Sequence, residues 1–200
     1  QEHLRSDSAK DRTFTKRNRD GARKSVSRLA GKIFDQTGDR LTPSHSKTSK
    51  GLKRRYYVSH RLIRGSAPRD PSGWRLPAPE LEEKVAVLIN RHMSSPEFQA
   101  GVLQDATTEE TAELGIKLGL LAEPNPSTPD DPRDVHLALV DRIDIAPGKI
   151  KISISAEHLA SALDLDQARI VDDLLKVASP FQHRKRGVET KLVIGNEPIE

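Results

Sequence analysis

The stretch Ile143-Asp144-Ile145-Ala146-Pro147-Gly148-Lys149-Ile150-Lys151-Ile152-Ser153-Ile154 decides the fold class. Isoleucine recurs at every second position on both sides of a Pro-Gly turn, and a period of two puts these side chains on one face of an extended pair. That pattern predicts a β-hairpin with a single buried face. Ser155 follows at once and can cap a helix carrying Leu159 and Leu163, with a further helical or mixed stretch over Leu165–Leu175. A last hairpin pairs residues around Val177–His183 with Val188–Ile194, turning at Lys185-Arg186-Gly187. Residues 135–200 therefore read as an α+β segment.

Upstream, Pro124, Pro126, Pro129 and Pro132 break regular structure and mark a linker over 123–134. Ahead of it, Thr107 and Glu110 form a capping box before Leu114, Leu118 and Leu121. Ser95-Pro96 opens a shorter helix to about Gln104. Leu81, Val85, Leu88, Ile89 and His92 recur at helical spacing after Pro79, and Glu80, Glu82 and Glu83 suit the positive end of that helix. Pro68, Pro71, Gly73, Pro77 and Pro79 make 65–79 an irregular connection, so 65–122 is a connection followed by a helical segment. Residues 29–64 alternate short β-favouring runs with turns: Leu29–Phe34, the turn Thr37-Gly38-Asp39, Arg40-Leu41-Thr42, a flexible stretch to Gly51, and Arg55–Ser59. This is a small antiparallel ribbon-like module, too small to bury much alone. Residues 1–28, with Lys16, Arg17, Arg19, Arg23 and Lys24 but only Leu4, Phe14 and Val26 as sizeable apolar groups, read as a basic linker or arm. The expected class is α+β: the ribbon, helices and two hairpins.

Composition narrows the function. Of 200 residues 34% are hydrophobic and 31% charged, so a substantial part of the chain stays outside any core. The net charge of +4 conceals a division: residues 1–75 hold 20 Lys/Arg against 7 Asp/Glu, residues 76–200 hold 13 against 22. The cationic part can neutralise phosphates and gain affinity by counterion release, although basic runs also occur in solvated linkers. The absence of cysteine excludes disulfides, thiolate zinc sites and a cysteine nucleophile, and fits a reducing cytoplasm. No apolar run approaches the roughly 20 residues that span a bilayer. The chain opens at Gln1 within a polar run, as a piece of a longer protein would.

No nucleophile motif, HExxH, Walker loop or GxGxxG is present. His45, His60, His92, His136, His158 and His183 are scattered, and Asp130-Asp131 and Asp172-Asp173 read as exposed carboxylates. No catalytic residue, metal ligand or cofactor is expected. The basic elements carry more. Lys53-Arg54-Arg55-Tyr56-Tyr57 sets three cations beside two aromatics on a strand, where cations contact phosphates and tyrosine donates to phosphate or packs on sugar. One of the two tyrosines could equally fill the ribbon's small core. Arg184-Lys185-Arg186 forms a second patch at a hairpin tip, where charge often serves solvation alone.

These segments resemble a family. Leu29-Ala30-Gly31-Lys32-Ile33-Phe34-Asp35, Gly38-Asp39-Arg40-Leu41-Thr42-Pro43-Ser44-His45 and Arg55-Tyr56-Tyr57-Val58-Ser59 are similar to the region after the recombinase domain of large serine recombinases. Leu76-Pro77-Ala78-Pro79-Glu80-Leu81-Glu82 resembles that family's helix start, and Lys185-Arg186-Gly187-Val188-Glu189-Thr190-Lys191-Leu192-Val193-Ile194 resembles a hairpin of one of its branches. Gln1-Glu2-His3-Leu4 would end the preceding domain's last helix. Residues 94–134 match poorly. The resemblance implies a parent protein that binds double-stranded DNA in the bacterial nucleoid, assembles as dimers and tetramers, and exchanges strands through a phosphoserine. The serine-bearing domain lies outside this chain, so this segment would be non-catalytic and would supply DNA contacts: Arg40, Lys47, Lys50, Lys53, Arg54, Arg55, Tyr56 and Arg61, with Arg184, Lys185 and Arg186 from the second patch. In many members four cysteines of the ribbon hold zinc. Asp35, Thr37 and Ser59 stand at three of those positions here, so a thiolate site is not available and the ribbon is expected to be held by packing alone. Two rival readings are a protein-interaction or oligomerisation module, which the acidic half suits, and an unrelated RNA-binding protein with a basic arm.

Overall fold

The computed structural model describes residues 27–47, 51–63, 72–122, 133–186 and 189–194. Within them run, in chain order, β1 (Ile33–Asp35), β2 (Leu41–Lys47), β3 (Lys53–Ser59), α1 (His60–Ile63), β4 (Arg75–Pro77), α2 (Ala78–Met93), α3 (Pro96–Gly101), α4 (Thr108–Ala122), α5 (Arg133–Ala138), β5 (Val140–Ala146), β6 (Gly148–Ile154), α6 (Ala156–Leu163), two short 3₁₀ turns, β7 (Lys176–Arg186) and β8 (Glu189–Ile194). The fold is α+β. One sheet has the order β1-β5-β6-β7-β8 and the other the order β2-β3-β4.

The alternating isoleucines do what their period requires. Ile143 faces Ile152 and Ile145 faces Ile150 across β5 and β6, and all four are buried with Ile154. Burial of each such side chain contributes about 1.5–3 kcal/mol. Gly148 turns the hairpin at φ +83°, a conformation that strains any other residue. The helix starts also follow local chemistry. Ser155 Oγ accepts from the His158 amide at 3.2 Å and Ser95 Oγ from the Phe98 amide at 3.2 Å. Thr107 and Glu110 bond reciprocally, at 2.8 and 3.1 Å, before α4. β7 and β8 form the last hairpin, with Phe181 opposite Ile194 and Arg186 opposite Glu189.

Four local expectations need correction. The run from Leu29 does not complete the ribbon: β1 pairs parallel with β5, Ile33 against Ile143. Leu29 and Ile33 are wholly buried, and the larger sheet offers the apolar face that a three-stranded ribbon cannot. The connection 65–79 contains a true strand, β4, whose Leu76 sits opposite Tyr57 and whose Pro77 is tolerated because β4 is an edge. The end of the expected linker, from Arg133, belongs to α5, which buries His136 and Leu137; residues 123–132 lie outside the described set. The last hairpin does not turn at Lys185-Arg186, which stand in the ladder opposite Thr190 and Glu189. Leu165–Leu175 is mixed, as expected, with 3₁₀ turns at Gln167–Arg169 and Asp172–Leu175. The core is one cluster running from Leu29, Leu41, Tyr57 and Leu76 through Leu81, Val85 and Ile89 of α2 to the isoleucines of β5 and β6, so the three-stranded sheet shares its interior with the rest of the chain.

Candidate nucleic-acid interface

The three-stranded sheet is a ribbon whose inner half is buried and whose outer half is not. Along β3 exposure falls steadily from Lys53 to Ser59. Register assigns the faces: Leu41, Pro43, His45 and Lys47 stand opposite Ser59, Tyr57, Arg55 and Lys53, whereas Thr42, Ser44 and Ser46 stand opposite Val58, Tyr56 and Arg54. The first row turns inward at its base, where Leu41, Tyr57, Ser59 and Leu76 are all fully buried. The second row turns outward, and of it only Val58 is buried.

Two buried carboxylates organise the base. Glu82, on the first turns of α2, accepts from Tyr57 Oη at 2.7 Å and takes a forked pair from Arg55 at 3.3 and 3.1 Å. It also accepts from the backbone amide of Arg28 at 3.3 Å, whose guanidinium bonds to Asp134 at 3.1 Å. Tyr57 Oη in turn accepts from the Leu29 amide at 2.9 Å. Burial, reinforced by the neighbouring Glu82 carboxylate, pushes the Tyr57 hydroxyl well above its ordinary range, so it remains a donor. The ribbon, the chain entering it and α2 are thus tied at one point.

The second carboxylate is Asp35, at the end of β1. One oxygen accepts from the Thr37 amide at 2.9 Å, the Thr37 hydroxyl at 2.6 Å and the Asp39 amide at 3.2 Å. The other accepts from Ser59 Oγ at 3.0 Å and from the Arg61 guanidinium. Burial opposes ionisation, but the bonds from Thr37, Arg61 and Ser59 outweigh it and hold this carboxyl below the usual carboxylate range. The same Arg61 nitrogen lies 3.0 Å from Thr37 Oγ1 and 3.2 Å from Asp39 Oδ2, and its partner nitrogen donates to the Ser72 carbonyl at 3.0 Å. Asp35, Thr37 and Ser59, which the resemblance sets against cysteines, therefore converge. Their donor set does not fit zinc: one carboxylate and two hydroxyls surround a guanidinium, which already supplies the positive charge. The expectation that packing alone holds the ribbon is corrected by this polar centre.

The sequence candidates divide accordingly. Arg55 and Arg61 are drawn inward by Glu82 and Asp35. Arg40, Lys47, Lys53 and Arg54 are exposed and make no ion pair among the described residues. Tyr56 is half-buried, with the Arg75 guanidinium 4.4 Å above its ring centre. Lys50 lies outside the described residues. Arg184, Lys185 and Arg186 are described by backbone alone, opposite Lys191, Thr190 and Glu189 in the β7–β8 ladder. Glu82, Asp35, Arg28 and Arg75 are not among the contact residues expected from the sequence. Glu82 had a signal, since position 82 lies on the stripe 78-81-82-85-89 that α2 buries, and Asp35 had one in its two-residue spacing from Ile33.

No family model, no curated protein and no solved structure matches this chain. Among the described residues no helix is long and apolar enough to cross a membrane, and no group of three or more His, Asp or Glu is placed to hold a metal ion.

Proposed function

We propose that this chain is a DNA-binding, non-catalytic segment of a large serine recombinase, the ribbon's outer half gripping the phosphate backbone of duplex DNA while a preceding domain performs strand exchange in a bacterial nucleoid. The observation that carries the reading is the pairing of Lys47 directly with Lys53 across β2 and β3. Like charges in that position repel and cost stability, and an anion between them removes the cost. Arg54, next along β3, and Arg40, one position before Leu41, add exposed cations on the ribbon's opposite face. The charge division of the sequence and the order of the family-like segments support the same assignment.

The test is fluorescence anisotropy of the full chain with a labelled duplex at two salt concentrations. Binding that weakens steeply with salt, and a Lys53→Ala/Arg54→Ala variant with lower affinity on every sequence and a salt slope shallower by about 2, is the expected outcome. Absence of binding at low salt refutes the reading. One observation favours a second role in subunit contact within the parent's dimers and tetramers: Ile116 and Leu120 on α4 are both 66% exposed and one helical turn apart. Sedimentation of an Ile116→Ser/Leu120→Ser variant tests it.

A further inference from the structure

We propose that the DNA surface continues past the ribbon, across the turn between β1 and β2, onto the outer face of the five-stranded sheet, where Lys149 and Lys151 of β6 contact phosphates of the same duplex. The inference rests on the DNA-binding reading above and extends it to residues on a different sheet.

Register shows that the two surfaces are continuous. Ile33 and Asp35 point inward, so Phe34 between them points outward. Phe34 forms an antiparallel bridge with Arg40 at the start of the ribbon, and residues directly opposite in such a bridge share a face. On the other side Phe34 stands opposite Asp144, Asp144 opposite Lys151, and Ala146 opposite Lys149. Arg40, Phe34, Asp144 and Lys151 thus form one row over four consecutive strand segments, a span of roughly 15 Å at the usual strand spacing. Next to the lysines on β7 stand Ala178 and Pro180, small uncharged side chains that leave the face open.

The charge on this face has no partner of its own. Asp144 is the acidic residue in the row, and Arg142 occupies it with three bonds of 2.8–3.0 Å. Lys149 and Lys151 make no ion pair among the described residues. Lysines on sheets often serve to protect an edge from pairing with another chain, but β6 is the central strand of its sheet, so that explanation does not apply. Two cations without an ion pair at the centre of an open sheet face, in line with Arg40 and on the same side as Arg54 of the ribbon, fit an extended polyanion. The aromatic rings on this surface identify which one. Single strands are held by stacking bases on free aromatic faces, and here Phe34 is covered by Arg142 at 3.9 Å and Tyr56 by Arg75 at 4.4 Å. With both rings occupied, the surface suits the backbone of a duplex.

The experiment compares wild type, Lys149→Ala/Lys151→Ala and Lys53→Ala/Arg54→Ala, all as full chains, by anisotropy on one labelled duplex over a salt series. The sheet variant should bind several-fold more weakly, with a salt slope shallower by about 2 and an unchanged thermal melt. Acetylation of the wild-type protein with and without duplex provides a second readout independent of any variant's folding: Lys149 and Lys151 should be protected by DNA. Wild-type affinity in the sheet variant together with unprotected lysines, while the ribbon variant is weakened, overturns this proposal and leaves the DNA-binding reading standing. No binding by wild type overturns both. Stronger competition by single-stranded than by duplex DNA of equal length overturns the choice of a duplex.

Discussion

The inner and outer halves of the ribbon carry the same kinds of side chain and use them in opposite ways. At the base, Arg55 and Arg61 face Glu82 and Asp35 and are consumed by them. Farther out on β2 and β3, Lys47, Lys53 and Arg54 face solvent. Residue type does not separate the two groups; the carboxylates delivered by α2 and β1 do. A cation within reach of a buried carboxylate becomes part of the scaffold, and one beyond reach stays exposed to solvent. The division predicts that substitutions in the inner half act on stability and those in the outer half on binding.

The largest effect is expected at Glu82. Glu82→Ala strands the Arg55 guanidinium and the Tyr57 hydroxyl in a buried site, and removing one partner of such a centre costs about 3–5 kcal/mol; Tyr57→Phe, which leaves Glu82 and the Leu29 amide one bond short, costs about 1–3 kcal/mol. Urea denaturation measures both. A Glu82→Ala protein as stable as wild type would show that the inner half is held by apolar packing alone.

Asp35 gives the comparison a pH dependence. Its folded carboxyl titrates below the unfolded one, so its stabilising contribution is fully present above the ordinary carboxylate value of about 4 and is lost as pH falls through the folded value. Asp35→Asn should therefore lower the urea midpoint at pH 7 and match wild type increasingly closely in strong acid. A gap that persists or widens on acidification would mean that ionisation of Asp35 does not support the fold.

The smallest effect on stability belongs to the outer half. Lys47→Ala/Lys53→Ala removes a cross-strand repulsion on an exposed surface, and the change should stay within about 0.5 kcal/mol, on the stabilising side. Loss of more than that would place these lysines in the scaffold after all.

What was legible in the sequence was whatever a short window encodes. Ile150, Ile152 and Ile154 alternate within five residues, Ser155 precedes its helix directly, and Thr107 finds Glu110 three positions on; each was read and each stands in the structure. The cationic candidates were legible as a group, but their division was not. Arg55 and Arg54 are neighbours on a strand and so take opposite faces, but that one of those faces meets a carboxylate depends on Glu82, on a helix that begins after β4. The parallel pairing of β1 with β5 left no trace either, because such pairing has no turn of its own and joins distant segments. Glu82 was read as a helix-start charge, which its location in α2 also allows; its buried environment follows from the apolar stripe on which it lies.

The pairing of Ile33 with Ile143 also orders events in time. During synthesis β2, β3 and β4 can find one another soon after Pro77 has emerged, because their partners are near in sequence. β1 cannot close onto its sheet until β5 has been made, and at ~5–20 residues per second that delay is on the order of ten seconds. Loop closure over such a distance also makes this a slow contact in refolding from denaturant. The angle between the two sheets is consequently a late product of folding, and a nascent chain halted before residue 143 would hold a ribbon without the seam that anchors it to the larger sheet.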